Sequence, residues 1–515
     1  MCGIVCTFGE ERAHPAHLLS HRGPDAFRRE KMGKCTMDFY RLAINDLSDA
    51  GMQPFVRANS IFVANAEIYN HKDLHTSSLK SASDCECVHY NVEKLGVSRT
   101  LEGIRGDFAF CYSDGEHIIA ARDRYGVRPL FYTRYADGSI AFASEVKALL
   151  WLKTDVHVFP PGTFYDSRLD DFTHYHTGYW NISKYVKCDT VREDIRRLLT
   201  EAVRVRLETT ERDVGFLLSG GLDSSLIAAI GQRLSHPKKI KTFSIGLDGS
   251  PDLVYARKVA DFLGTDHTEV KFTTEEAMMH LRDVIYSCES YDCTTIRAST
   301  PMWLLCRYIS LNTKCRFILS GEGSDEVFGG YLYFNRAPSI EEHAFESMRR
   351  LRLIHQHDGL RADRCCGAWG LDLNVPFLDQ VFVDYVMNMN QGIKVGQTIE
   401  KKILRQAFEG YLPEDVLWRQ KDGMSDAVGN QWVDALKARG EKSINDTQLE
   451  VARTICNGHN PCKTKEEALY RELFWTFFTS KNDHLIREIW RHRWVGKDVV
   501  DPSARVLEEK RETSV

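Results

Sequence analysis

Ser219-Gly220-Gly221-Leu222-Asp223-Ser224-Ser225 follows an apolar run, Val214 to Leu218, and precedes Leu226-Ile227-Ala228-Ala229-Ile230. The first run reads as a buried strand and the second as the opening turns of a helix. A strand, a small-residue turn and a helix together make an anion cradle. Glycines let the backbone approach a phosphate, and the helix N-terminus offers unpaired N–H groups with a partial positive charge. The hydroxyls of Ser219 and Ser224 add donors. Asp223 fits such a site only with a cation, because a carboxylate there can hold Mg2+ against phosphate oxygens. No Gly-Lys-Ser/Thr follows, so the loop is not a Walker A motif.

Working outward, Lys241 to Leu247 reads as a second strand, Asp252 to Leu263 as a helix and Thr268-Glu269-Val270 as a third strand. Alternating β and α units predict an open parallel sheet with ligands at the carboxyl ends of its strands. Phe317-Ile318-Leu319 is a further strand, followed by Ser320-Gly321-Glu322-Gly323-Ser324-Asp325-Glu326. Two strand ends thus carry serine, glycine and a carboxylate, and Asp223 and Asp325 are placed to share magnesium across the crevice. Lys421, in the polar run Trp418 to Asp426, is a candidate for stabilising charge as pyrophosphate leaves. Thr190-x-x-Glu193 matches a capping box, and Val191, Ile195, Leu198, Leu199 and Ala202 recur at helical spacing, so a new domain opens there.

The bulk numbers agree with a large soluble, globular protein. The chain has 515 residues, enough for two to four domains, with 43% hydrophobic and 27% charged residues and a net charge of −5. That charge argues against a nucleic-acid binder that relies on counterion release. Met1-Cys2-Gly3 lacks the basic and apolar regions of a signal peptide, and no apolar run approaches transmembrane length. A cytoplasmic location with free thiols is expected, since 15 cysteines occur without paired CxxC spacing.

The first 165 residues read differently, as alternating apolar strands and polar turns that stack as antiparallel sheets. Removal of Met1 leaves Cys2 with a free α-amine, so one residue carries a nucleophile and a base whose pKa is near 8. Arg41 opens an alternating strand and suits a carboxylate. Asn65 and the N–H groups after it suit an oxyanion. Asp84 suits an ammonium.

MCGIV, HRGPD, RLAI, NAEIYNH, SDCE, GDFAF, ARDRYGVRPLF and ASEVKAL occur in order from residue 2 to about 165. Together they resemble the class II glutamine amidotransferase domain, an N-terminal-nucleophile hydrolase. The resemblance implies that Cys2 attacks the glutamine amide and that Arg41, Glu67 and Asp84 hold the substrate. Asn65 and the N–H of Ala66 would form the oxyanion hole. The family has glycine at position 66. An alanine there puts a Cβ in the substrate's way, and a positive φ would cost about 1 kcal/mol or more; a retained but weakened glutaminase is expected.

SGGLDSS, FSIGLDGSPDL, YDCTTIRAST, LSGEGSDEVFGGY, VPFLD and WRQKDGMSD resemble asparagine synthetases of the glutamine-hydrolysing type. The resemblance covers about nine tenths of the chain. It implies two domains. Residues 2–180 would be an antiparallel β-sandwich glutaminase, and 190–480 a parallel-sheet α/β ATP pyrophosphatase domain with extra helices. A charged, mobile tail would follow from 481. It further implies ATP and Mg2+ as cofactors, with Leu218, Ser219, Gly220, Gly221, Asp223 and Ser224 around pyrophosphate and Ile245, Ser320 and Gly321 around the nucleotide. Glu322 is a candidate general base, and Arg297 and Lys421 are candidates for charge stabilisation. Ammonia would pass between the sites through an enclosed tunnel. The expected partners are glutamine, aspartate and ATP, with a homodimer as an open option. Other readings stay open: a β-lactam-forming synthetase, which would lack Cys2; an amidotransferase acting on another acid; a tRNA-thiolating enzyme, which would need a basic surface; and a degenerate scaffold, which would show broken loops.

Overall fold

The computed structural model of the chain describes every residue except 11, 13, 75–76, 151–153, 179, 181–189, 396–398, 422–428, 457, 497–498, 504–506 and 508–515. Two six-stranded antiparallel sheets are built from the first 174 residues. One runs in the order Val156–Val158, Phe131–Arg134, Ile140–Ala143, Gly3–Phe8, Cys35–Arg41, Ala26–Met32. The other runs Asp171–His174, Thr163–Asp166, Ile118–Arg122, Gly106–Ser113, Ser60–Ile68, Phe55–Arg57.

Period-2 alternation decides how these sheets stack. Ile4, Cys6, Met37 and Phe39 of the first sheet meet Ile61, Val63, Cys111 and Ala120 of the second in a closed core. The intervening residues face the other way. Phe62, Ala64, Phe108 and Phe110 pack under the helices Glu86–Leu95 and Val97–Gly103. Val5, Ala141 and Ala143 pack into the same core as the C-terminal half. The outer face of the first sheet is therefore the seam between the halves. The sandwich expected from the sequence is present.

The C-terminal half opens with the helix Val191–Thr209, where Thr190 Oγ1 donates to Asp194 Oδ2 (2.8 Å) instead of forming the expected box with Glu193. The five-stranded sheet runs Asp266–Lys271, Lys241–Gly246, Asp213–Leu217, Cys315–Leu319, Asp372–Asn374, every pair parallel. Chain order reverses between Asp213–Leu217 and Cys315–Leu319. A crevice opens at the carboxyl ends of strands at such a switch point, and SGGLDSS and SGEGSDE flank it.

One expectation is corrected. The segment from 481 is not a free tail over its described part. Trp490 is buried against Tyr331 and Tyr333, and Asp501 pairs with Arg297. Aromatic burial and ion pairing hold the segment down where its charge content suggested solvent. The sequence also reads Tyr175 to Asp189 as the hinge between the halves, and most of that stretch lies outside the described residues. The described cysteines are free thiols, and no helix among the described residues is long and apolar enough to cross a membrane.

Candidate active sites

The first site is a cleft at the switch point, enclosing about 1170 Å³ out to its open mouth. Gly220 makes the turn that starts it. Its φ is +76°, and a Cβ there would lie 2.5 Å from the backbone N of Ala256, so only glycine fits. Ser219 Oγ lies 3.0 Å from Ser224 Oγ and accepts from Gly221 N–H at 3.3 Å, which ties the loop back on itself. The helix Leu222–Ser235 has no side-chain cap at Gly221. Its first N–H groups therefore face the cleft as anion donors. Across the crevice, Gly321 packs so closely that a Cβ would be 2.8 Å from the N of Ser224. Leu218, Ser219, Gly221, Asp223, Ser224, Ile245, Ser320, Gly321, Glu322, Asp325 and Lys421 all line the cleft, and Gly220 shapes the loop behind it.

Asp223 and Asp325 do come together, but around a residue the sequence reading passed over. Lys401 Nζ lies 2.7 Å from both oxygens of Asp223 and 2.6 Å from Asp325 Oδ1. Lys421 Nζ lies 2.9 Å from Asp325 and 3.5 Å from Asp223. Burial alone would raise the Asp325 carboxyl, yet the ammonium groups of Lys401 and Lys421 hold it well below the ordinary carboxylate range. Lys401 carries a left-handed backbone, φ +57°, which turns its side chain inward from the start of the helix Lys402–Ala407.

Glu322 faces Arg361 Nη2 at 3.3 Å, and its Oε2 is buried without a hydrogen-bond partner among the described residues. Arg361 also holds Asp358 at 2.5 Å, and Tyr331 Oη donates to Asp358 at 2.8 Å. Arg361, Asp358 and Tyr331 are cleft residues that the sequence reading missed.

Arg297 is not brought to the cleft. From the helix Cys293–Asn312 its guanidinium makes a bidentate pair with Glu466 (2.8 and 2.6 Å) and reaches Asp501 (2.8 Å) and Ser503 (3.3 Å). Every guanidinium nitrogen is thereby engaged, which corrects its expected place among the charge-stabilising groups.

The second site is a cavity of about 390 Å³ out to its mouth, lined by Cys2, Arg41, Asn65, Ala66, Glu67 and Asp84 among others. All six residues singled out in the N-terminal half meet there. Cys2 N–H donates to Asn65 Oδ1 at 2.9 Å, and Leu42 N–H donates to Cys2 Sγ at 3.4 Å. Asn65 Nδ2 is buried without a partner among the described residues, as an oxyanion donor would be. Arg41 is braced by the carbonyls of Ser48 (2.8 Å) and Asp46. Asp84 Oδ2 accepts from Ile68 N–H at 2.7 Å. Burial, then the neighbouring Asp372 and Asp84, pushes Glu67 well above the ordinary carboxylate range. Burial likewise pushes the Cys2 thiol up, so a base must take its proton. Ala66 sits inside the strand Ser60–Ile68 opposite Phe108 and does not have a positive φ. The strain expected there is absent, because the strand keeps the residue extended.

A thiol pocket on a sandwich, joined to a phosphate cradle on a parallel sheet, defines a glutamine amidotransferase fused to a pyrophosphatase-type synthetase. A glutamine amidotransferase domain matches residues 1–169, and asparagine synthase matches 194–354 and 342–497. The chain is 38% identical to a probable glutamine-hydrolysing asparagine synthetase of Acanthamoeba polyphaga mimivirus, over 98% of this chain and 100% of that protein. It is 38% identical to the Gallus gallus asparagine synthetase, over 98% of each, and 39% identical to that of Asparagus officinalis, over 93% of this chain and 86% of the relative. The chain belongs to the glutamine-hydrolysing asparagine synthetase family, whose members are ATP-using ligases.

Proposed function

We propose that the chain makes L-asparagine from L-aspartate, ATP and glutamine through a β-aspartyl adenylate, releasing AMP, pyrophosphate and glutamate. The observation that carries this reading is the pairing of Asp223 and Asp325 around one cation position at the mouth of the SGGLDSS cradle. A carboxylate is a poor acceptor for ammonia because oxide is its leaving group; adenylation replaces oxide with AMP. The cradle N–H groups, Ser219 and Ser224 bind pyrophosphate, while Ile245, Ser320 and Gly321 border the nucleotide. Lys421 and Lys401 offset the charge of the departing pyrophosphate. Glu322, with one free oxygen in the cleft, takes the proton from the attacking ammonia.

Magnesium fits this site. The two carboxylates are hard oxygen donors, and the Lys401 ammonium between them marks where a cation is stable. Among the described residues no group of three or more His, Cys, Asp or Glu is placed to hold a metal, so Mg2+ held by Asp223 and Asp325 would draw its remaining ligands from phosphate oxygens and water. When bound, Mg2+ supplies charge neutralisation to the leaving pyrophosphate.

In the other half, residues 2–180 act as the glutaminase. Once the residue before it is removed, Cys2 attacks the glutamine amide with its own amine as base. Asn65 Nδ2 and the N–H of Ala66 receive the oxyanion, and Arg41, Glu67 and Asp84 hold the substrate's carboxylate and ammonium. Residues 190–480 act as the synthetase. Free thiols support a cytoplasmic setting.

The test is asparagine formation from aspartate, Mg2+ and ATP, with glutamine and with ammonium as donors, scoring AMP and glutamate. Product from both donors with matching AMP is expected. No product and no AMP from either donor overturns the aspartate assignment.

A further inference from the structure

The helix Asp358–Gly367 borders the ATP cleft and reaches Cys2 through Arg22. On one side Arg361 reaches Glu322 (3.3 Å) in the ATP cleft. On another, Asp363 takes a bidentate pair from Arg22, Nη1 at 2.9 Å and Nη2 at 3.0 Å. Arg22 then donates through Nε to the carbonyl oxygen of Cys2 at 3.1 Å. Arg22 and Asp363 are almost wholly buried, with side-chain exposures of 0% and 2%.

The pair sits in a larger buried cluster across the seam. Glu145 accepts from Arg22 (2.7 Å), Arg364 (2.9 Å) and Lys147 (2.7 Å), and Arg364 also holds Glu289 (2.7 Å). Three cations and three carboxylates are thus cross-linked away from water. Charges paired this way have few alternative arrangements, because any shift strands a buried charge. Gly367, on the same helix, lies so close that a Cβ would be 3.0 Å from Arg22 Nη1. The helix and the Cys2 backbone are therefore joined through one buried, closely packed contact.

We propose that Asp363 is a positioning residue that makes glutamine hydrolysis at Cys2 answer to occupancy of the ATP cleft; this rests on the function proposed above. Ligands that engage Glu322 load Arg361, and the helix passes the displacement through Asp363 and Arg22 to the Cys2 carbonyl. Only a small movement is needed, since an offset of about 1 Å at a reacting centre changes rate by about a hundredfold.

The experiment uses the full chain, unaltered and as Asp363→Asn, and measures three rates. These are ammonium-dependent asparagine formation, glutamine hydrolysis alone, and glutamine hydrolysis with ATP and aspartate. In the unaltered enzyme, ATP plus aspartate is expected to stimulate hydrolysis by about fivefold or more, the lower end of ordinary site–site coupling. D363N is expected to lose that stimulation and to raise the ratio of glutamate to asparagine, while its ammonium-dependent rate stays within about twofold. A purely structural role would lower all three rates together and leave the ratio unmoved, which overturns the proposal. So does an unaltered enzyme whose hydrolysis ignores ATP and aspartate. Where D363N does not fold, Asp363→Glu keeps the charge but lengthens the arm; an unchanged ratio in that variant overturns the proposal as well. Failure of the underlying reading is separately visible, as an unaltered enzyme that makes no asparagine from ammonium.

Discussion

Lys401 Nζ bridges both carboxylate oxygens of Asp223 at 2.7 Å, with the lysine side chain 1% exposed and the aspartate 11%. Removing one partner of a buried pair costs about 3–5 kcal/mol, since the other charge is left uncompensated. Here Asp223 and Asp325 would lose the ammonium between them and keep Lys421, at 3.5 and 2.9 Å. Lys401→Met is therefore expected to lower the unfolding midpoint and to abolish ammonium-dependent synthesis, while glutamine hydrolysis persists. Mg2+ alone should raise the melting temperature of the variant more than that of the unaltered chain, because the divalent ion can take the vacated position. Equal Mg2+ shifts in both proteins would mean that Asp223 and Asp325 do not form the cation position.

Ala66 borders the Cys2 cavity, packs against the apolar cluster under the helices Glu86–Leu95 and Val97–Gly103, and keeps an extended backbone. Ala66→Gly therefore relieves no strain. It is expected to destabilise the strand by about 0.5–1 kcal/mol, the ordinary cost of glycine in a regular element. If the methyl obstructs glutamine, kcat/KM for glutamine rises several-fold while the ammonium reaction is unchanged. Steady-state kinetics with both donors checks this, and an unchanged glutamine value would show that the methyl is accommodated. Cys2→Ala, by contrast, is expected to remove the glutamine reaction and spare the ammonium one.

The two loops of the ATP cleft were legible because each is a local event: an apolar run, a turn that needs glycine, and a helix. Gly220 at φ +76° and Gly321 against Ser224 are where local sequence and structure agree. The Cys2 cavity gathers residues 2, 41, 65, 66, 67 and 84, and only the ordered set of motifs tied them together. Lys401 escaped notice because Glu400-Lys401-Lys402 reads as the charged start of a surface helix. Nothing local reveals that a left-handed residue turns one of those lysines into the cleft. Arg361 reads in the same way as one more arginine on a helix, and only packing against the 320–326 loop gives it Glu322.

Arg297 shows the opposite failure. The resemblance offered it for charge stabilisation, but the face it presents is decided by Glu466 and Asp501, 169 and 204 residues further along. Breaking that buried pair should act on stability. Arg297→Met is expected to cost about 3–5 kcal/mol in denaturant unfolding and to leave kcat of the remaining folded enzyme within about twofold. A large fall in kcat at unchanged stability would return Arg297 to the chemistry.

Glu326 gives the structure a pH signature. Burial, then the negative charges of Asp358 and Asp325, pushes its carboxyl up to about 8, although its hydrogen bond with Tyr331 Oη opposes the shift. An unfolded glutamate gives up its proton near pH 4.3. Between about pH 4.3 and 8 the folded state therefore holds a proton that the unfolded state has lost, so stability falls as pH rises through that window, by about 1.4 kcal/mol per unit. Asp325 runs the other way, but its held-down carboxyl is ionised in both states above pH 5 and adds no slope there. Glu326→Gln keeps the shape and removes the titration. The stability difference between variant and unaltered chain, followed by calorimetry from pH 5 to 8, should shift steadily in favour of the variant and level off above 8. A difference that stays flat across the window would mean that Glu326 is already ionised at neutral pH. Asp358 and Asp325 would then face a third negative charge that Arg361, Lys401 and Lys421 must offset.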